Sequence, residues 1–201
     1  MHMHAAGQGR MQRHGPPSAA MTALQATLLL HGLLGGADVL LNHELLERLP
    51  SRPGAAAEQR LHSLREAIFG LLFPSLGLFA WHGWLAWWPA LLLLAEIGVS
   101  LRDTVVEGRT RRLPLPEQIL HVLLFINLGV IATLLLQALP GWLALPSDVH
   151  ALPADGPGSW LAAMGAISLA WSMRDALSAR RLRLRARRKS DMNIGNTPTQ
   201  G

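Results

Sequence analysis

The stretch that decides the fold is LLLLAEIGVSLRDTVVE, residues 91–107. Within it, Glu96, Ser100, Asp103 and Glu107 follow one another at intervals of four, three and four residues. A helix turns by about 100° per residue, so these spacings place all four side chains on one face. Most of the other residues are apolar. We therefore predict a helix that carries one polar stripe through a hydrophobic environment.

Three other segments carry the same kind of stripe. Their acidic, histidine and asparagine side chains recur at intervals of four or seven residues, which are helical spacings. The stripes consist of His31, Asp38 and Asn42; of Glu58, His62 and Glu66; and of Glu117 and His121. Ionisable groups are costly inside lipid, so such residues indicate a functional site by default.

Composition and hydropathy indicate a membrane protein. The 201 residues are 50% hydrophobic and their mean hydropathy is +0.24, which is high for a soluble domain. A membrane-spanning helix needs about 20 apolar residues. The stretches that approach this length are 22–41, 67–86, 85–101, 119–139 and 158–173. We predict an all-α integral membrane bundle of about five transmembrane helices, in which four form a polar-cored bundle and the short fifth packs outside it.

The two ends of the chain differ from this middle part. Residues 1–20 are rich in His, Gly, Gln and Pro and lack periodicity, which predicts a disordered leader. Residues 21–178 form the predicted transmembrane helical domain. Residues 179–201 begin with a run of arginines, which predicts a basic, disordered cytoplasmic tail that anchors the topology. We expect no nucleic-acid partner for this tail.

The positions of arginine and tryptophan predict the orientation in the membrane. Arginine occurs in loops 42–66 and 102–118 and beyond residue 173, whereas the alternate loops contain no arginine or lysine. The positive-inside rule then places these loops and the C-terminus in the cytoplasm and the N-terminus outside. All tryptophans except Trp171 flank the opposite boundary. The preference for arginine over lysine is typical of GC-rich bacterial genomes, so we expect a bacterial cytoplasmic membrane.

Counted from the cytoplasmic ends of the spans, the stripe residues fall into two layers, because a helix rises by about 1.5 Å per residue. The boundary layer contains Asp38, Glu66, Asp103 and His121, with His62 and Glu107 one turn closer to the cytoplasm. The deeper layer contains His31 and Glu96, about 10 Å further into the membrane, where they can face each other.

The boundary layer predicts a metal centre. Its carboxylates outnumber the arginines near enough to neutralise them, which favours bound cations. The chain contains no cysteine, and imidazole with carboxylate is the ligand set of iron, manganese and zinc. The predicted ligands are His62, Glu66, Asp103 and His121, completed or bridged by Asp38 and Glu107. His31 and Glu96 are predicted to move protons.

Such a site predicts a non-haem oxidoreductase with one or two metal ions, iron or another divalent transition metal, acting on a lipid-soluble substrate with a redox partner. The Glu-x-x-His pairs of ferritin-like proteins and the His boxes of membrane desaturases are absent, so no motif assigns an enzymatic activity. Three alternatives remain open. They are a non-enzymatic accessory protein with a structural ion-pair network, a proton pathway, and a b-type haem protein using two of His31, His62 and His121.

Two further expectations concern the neighbours of the stripes. On an ideal helix His43 points more than 90° away from Asp38, so we expect it to belong to a loop. Glu58 and Glu107 are expected at solvated helix ends. The glycines of residues 32–36 predict close approach of another helix.

Three stretches resemble a known group of proteins. They are HELLERLPSRP, residues 43–53; LHSLR, residues 61–65; and EGRTRRLP, residues 107–114. Together they resemble small uncharacterised bacterial multi-pass membrane proteins over about residues 25–140. The resemblance implies a multi-pass membrane protein and no particular activity.

Overall fold

A computed structural model describes residues 19–153 and 156–195, so most of the predicted leader lies outside the described residues. Five helices and two short strands follow one another. The helices are α1 (Ala19–Asp38), α2 (Ala56–Leu78), α3 (Trp87–Thr110), α4 (Leu115–Leu143) and α5 (Gly156–Gly195), and the strands are β1 (Phe79–Trp81) and β2 (Val149–Ala151). A π-helical segment, Val39–Leu46, continues α1, and 3-10 turns cover Leu49–Ser51 and Gly83–Ala86.

Three helical stretches are long and apolar enough to cross a membrane: Met21–Leu46, Gly83–Thr110 and Leu115–Leu143. These stretches of the described residues are candidate membrane spans by length and composition, and they coincide with three of the five predicted spans. Many of the protein's large apolar side chains lie on the surface, and many of its ionisable side chains lie in the interior. In α3 the side chain of Leu94 is 64% exposed whereas Glu96 is completely buried. Such a surface suits lipid, because the apolar groups face outward and the ionisable groups face one another.

Helices α2 and α5 form the most extensive helix pair. Small residues allow this approach, since a Cβ added to Gly70 would lie 2.5 Å from Leu169 Cγ and one added to Gly158 would lie 2.5 Å from the Gly77 carbonyl oxygen. Reciprocal hydrogen bonds also join the pair: the Ser63 hydroxyl donates to the Ser172 carbonyl and the Ser172 hydroxyl to the Ser63 carbonyl, at 2.9 and 2.7 Å. Helix α1 packs mainly against α4.

The apolar core lies between these helices. Its buried side chains come from all five helices and include Leu24, Leu28, Leu72, Leu76, Leu93, Ile131, Leu135 and Leu161. This core occupies the half of the molecule that contains β1 and β2. The opposite half contains the buried ionisable groups.

Two element boundaries differ from the prediction. The predicted second span ran to residue 86, but α2 ends at Leu78 because β1 pairs antiparallel with β2, in the register Phe79 to Ala151 and Trp81 to Val149. Residues 179–195, predicted to be disordered, continue α5 as a helix. The hydroxyl of Ser178 donates to the Pro50 carbonyl at 2.9 Å, which ties this part of α5 to the loop before α2.

Candidate metal centre

The π-helical segment brings two side chains onto the face of Asp38. In this segment the backbone N–H groups bond five residues back instead of four, as in the 2.8 Å bond from Glu47 N to Asn42 O. Each turn therefore contains more residues than an α-helical turn. Asn42 Nδ2 donates to Asp38 Oδ1 at 2.6 Å, and His43, five residues after Asp38, also turns inward and is only 2% exposed. The prediction that His43 belongs to a loop is wrong for this reason.

The imidazole of His43 lies between two carboxylates. Its Nε2 is 3.6 Å from Asp38 Oδ2 and 3.4 Å from Glu117 Oε1. The ring also contacts the His62 ring edge-on, with 4.1 Å between their centroids. The π-helical segment, α2 and α4 therefore converge on one point.

Two further histidines have the same surroundings. His62 Nε2 is 3.5 Å from Asp103 Oδ2 and 3.4 Å from Glu107 Oε1. His121 Nε2 is 3.3 Å from Asp38 Oδ2, and its Nδ1 is 3.5 Å from Glu107 Oε2. Each of the three imidazoles thus connects two acids, and Glu107 is shared by two of them.

Two arginines end this chain of contacts. Arg65 donates from Nε to Glu96 and from Nη1 to Asp103, both at 3.1 Å. Arg111 donates to Glu58 at 2.7 Å and also to Glu117. Burial alone lowers the pKa of Arg111, but its hydrogen bonds to Glu117 and Glu58 outweigh burial and raise the pKa above the ordinary value.

We call the connected groups the acid–imidazole cluster. In order of contact they are Glu96, Arg65, Asp103, His62, Glu107, His121, Asp38, His43, Glu117, Arg111 and Glu58. Acidic and basic groups alternate along the whole series. With neutral imidazoles, its six carboxylates and two guanidinium groups carry a formal charge of −4.

The histidine contacts are too long for strong hydrogen bonds. A charge-assisted N–H···O bond is about 2.7–2.9 Å long, and the Nε2 atoms of His43, His62 and His121 are buried without a hydrogen-bond partner. Atoms that bind one metal ion at about 2.1 Å lie roughly 3.0–3.4 Å apart. The measured N···O separations of 3.3–3.6 Å are close to this ligand-to-ligand distance.

Two groups of atoms in the cluster have the arrangement of metal ligands. One contains His43, Glu107, Glu117 and His121, and the other contains Glu58, His62 and Glu107; within each group the ligand atoms lie within 4.8 Å of one another. Glu107 belongs to both groups. A carboxylate has two oxygens, so it can bridge two ions.

The structure brings five predicted ligands into the cluster: Asp38, His62, Asp103, Glu107 and His121. The sixth, Glu66, belongs to neither group, and its buried carboxylate has no hydrogen-bond partner among the described residues.

The deeper pair is separated in the structure. Glu96 accepts from Arg65 and from the Ser100 hydroxyl, the latter at 2.8 Å. His31 Nδ1 lies 3.2 Å from Asn127 Nδ2, and its ring packs on Phe69. Among the described residues no hydrogen bond or ion pair joins His31 to Glu96. A cavity of ≈ 10 Å³, about the size of one water, lies between His31 and the cluster residues Arg65, Asp103 and His121.

Glu58, Glu117 and His43 were not among the predicted ligands. Glu58 and Glu107 were expected to be solvated, and this is wrong, since both are 1% exposed. Glu58 lies four residues from His62 and Glu107 lies four residues from Asp103, and this helical spacing was the signal that placed them on the inward faces. Glu117 likewise lies four residues before His121.

The described residues thus define a class: a helical protein with three candidate membrane spans and a buried cluster of carboxylates and imidazoles. Comparison of the chain with known protein families, curated proteins and solved structures gave no match.

Proposed function

We propose that this protein is a non-haem di-metal oxidoreductase that acts on a lipid-soluble substrate within the membrane. The observation that carries the proposal is the position of three buried imidazole nitrogens. The Nε2 atoms of His43 and His62 each lie between two carboxylate oxygens at ligand-to-ligand distance, and Nε2 of His121 lies at this distance from Asp38. None of the three has a hydrogen-bond partner among the described residues. Buried polar atoms in native proteins are normally satisfied, so these nitrogens indicate a missing partner.

The ligand set supports two ions that share one carboxylate. His43, His121 and Glu117 would hold one ion, His62 and Glu58 would hold the other, and Glu107 would bridge them. Asp38 and Asp103 contact the same imidazoles and complete the set. Bundles that present Glu and His from facing helices are an established architecture for such centres.

The charge of the cluster supports the same conclusion. Two divalent cations would neutralise the formal charge of −4 left by its acids and arginines. Without such compensation, this net charge would remain buried at the edge of a membrane, which is energetically costly. Imidazole and carboxylate ligands favour iron, manganese or zinc, and iron or manganese would supply the redox chemistry.

The protein's own residues would serve the reaction in two ways. The apolar helix faces exclude bulk water from the cluster, which strengthens electrostatic interactions inside it. His31, reached through the cavity of ≈ 10 Å³, would move protons between the cluster and the membrane interior. We propose that α2 and α5 also cross the membrane, and that the arginine-bearing loops face the cytoplasm of a bacterial cell.

A structural ion-pair network is the second candidate, because acids and bases alternate along the entire cluster. Oxygens of Asp103 and Glu107 lie 3.5 and 3.4 Å from Nε2 of His62. A protonated imidazole would therefore be held by the same oxygens that would hold a metal ion. The di-metal centre predicts bound metal ions, whereas the ion-pair network predicts none.

The test is elemental analysis of the detergent-purified protein after anaerobic loading with Fe²⁺ and removal of free metal. We expect about two equivalents of iron in the wild type. His43→Ala and His62→Ala should each retain about one, and Glu107→Ala should lose most of both. The control is His150→Ala, because His150 is an exposed side chain on β2, remote from the cluster. Oxygen uptake by the loaded wild type, reduced in the cluster variants, tests the redox assignment.

Less than about a tenth of an equivalent in the loaded wild type would eliminate the metal centre and favour the ion-pair network. Equal metal content in His43→Ala, His62→Ala and His150→Ala would show that any bound metal lies elsewhere. A Soret absorption band in the purified protein would instead support a b-type haem.

A further inference from the structure

A second, larger cavity of ≈ 410 Å³ lies between α1, α2 and α5. This volume falls in the range of about 300–1,000 Å³ that is typical of small-molecule sites. Its walls are mainly apolar and include Leu33, Phe69, Phe73, Met164 and Ile167. The cavity has a polar end, at which the side chains of His43, His62, Glu66 and Trp171 meet.

Glycines of α1 create this space. A Cβ added to Gly35 or Gly36 would meet no atom within 4 Å, and both residues line the cavity. Gly32 differs, because its added Cβ would lie 2.7 Å from Met164 Sδ. The sequence predicted close helix approach at all three glycines. That is correct for Gly32 and wrong for Gly35 and Gly36, which border open space.

Two buried polar groups at the inner end have no partner among the described residues. The first is the carboxyl group of Glu66, of which neither oxygen is hydrogen-bonded, and the second is the indole Nε1 of Trp171. Both residues line the cavity, and their helices are joined nearby, because the Ser168 hydroxyl donates to the backbone carbonyl of Glu66 at 2.7 Å and Trp171 follows Ser168 by three residues on the same face of α5. The sequence had already distinguished Trp171 as the tryptophan outside the interfacial belt.

These groups define the head group that fits. The indole N–H can only donate, and the carboxyl group of Glu66 can accept. A hydroxyl satisfies both, since it accepts from Trp171 and donates to Glu66. The neighbouring guanidinium groups are already paired, Arg65 with Glu96 and Asp103, and Arg174 with Glu44 and Asp175. An anionic head group would therefore find no free cation here and would face the carboxyl group of Glu66.

We propose that this cavity binds a long-chain alcohol, with its hydroxyl between Glu66 and Trp171 and its hydrocarbon chain against the glycine face of α1. The polar end includes His43 and His62, so the head-group end of the bound molecule lies beside the acid–imidazole cluster. The inference names the substrate class of the proposed oxidoreductase, and it rests on that function for the reaction but not for binding.

The test uses protein in phospholipid nanodiscs and a hexadecanol that carries a diazirine in its chain. Photolabelled peptides are located by mass spectrometry, and the metal content of each sample is measured in parallel. We expect labelling of the segments of α1, α2 and α5 that line the cavity. Unlabelled hexadecanol should compete at least about tenfold better than hexadecanoate or hexadecylamine, because a hydroxyl accepts from Trp171 and donates to Glu66 without bringing a charge into the cavity.

Three variants make the test specific. Gly35→Leu fills the cavity and should reduce labelling about tenfold, whereas Gly98→Leu, on an exposed face of α3 that also borders open space, should leave it unchanged. Trp171→Phe keeps an aromatic side chain but removes the indole N–H, so labelling should fall about three- to tenfold. Gly35→Leu should retain the metal content of the wild type.

Equal labelling of Gly35→Leu and the wild type would overturn the cavity assignment. Equal competition by the three head groups would overturn the alcohol assignment. Correct labelling of a protein without metal would support this inference while the proposed oxidoreductase fails. Metal binding without specific labelling would overturn this inference and leave the proposed metal centre in place.

Discussion

Replacement of Arg111 by methionine tests the energetic role of the acid–imidazole cluster. Arg111 follows the last residue of α3, and its side chain is only 3% exposed. It neutralises Glu58 and Glu117, which are also buried, and Glu107 lies 4.0 Å away. Methionine keeps much of the side-chain length but removes every donor, so these carboxylates would lose their cation.

Removing one partner of a buried ion pair costs about 3–5 kcal/mol. A change of 1 kcal/mol shifts the melting temperature by roughly 2–4 °C in a chain of this size. We therefore expect Arg111→Met to melt roughly 6–20 °C below the wild type in metal-free detergent solution. The double variant Arg111→Met, Glu58→Gln should recover part of this loss, because one of the uncompensated charges is gone.

The matched control is Arg112→Met, since Arg112 is the exposed neighbour of Arg111. Surface substitutions change stability by no more than about 0.5 kcal/mol. The assay is thermal unfolding followed by circular dichroism. If Arg111→Met and Arg112→Met melt within about 2 °C of each other, the buried acids do not depend on Arg111 and the reasoning from burial is refuted.

Two other predictions follow from single contacts. Asn127→Leu removes the partner of His31 Nδ1 and should lower the unfolding free energy by about 1–3 kcal/mol, measured by denaturant titration, whereas a neutral effect would show that His31 is satisfied by water. A Cβ added to Gly165 would lie 2.7 Å from Pro74 Cδ, so Gly165→Val should destabilise the protein by about 1–3 kcal/mol, and an unchanged melting temperature would show that α5 shifts freely.

Regular helical spacing allowed much of the candidate site to be predicted. Glu96, Asp103 and Glu107 belong to a regular α-helix, and all three are buried on one face of α3. Helical spacing predicted the wrong direction for the His43 side chain because the π-helical segment changes the number of residues per turn. No residue pattern in the sequence indicates that change. Helical spacing also could not assign Glu66, which shares a face with His62 but lies one turn away, beside α5.

The sequence by itself determined the helices, their apolar outer faces and their inward-facing ionisable stripes, because hydropathy and helical periodicity are local properties. Tertiary structure alone decided which stripes meet. The contacts of Glu107 with His62 and His121 join α2, α3 and α4, and those of His43 with Glu117 join the π-helical segment to α4. Such pairings depend on how the helices pack and rotate against one another, and this is not encoded in the spacing of any one segment.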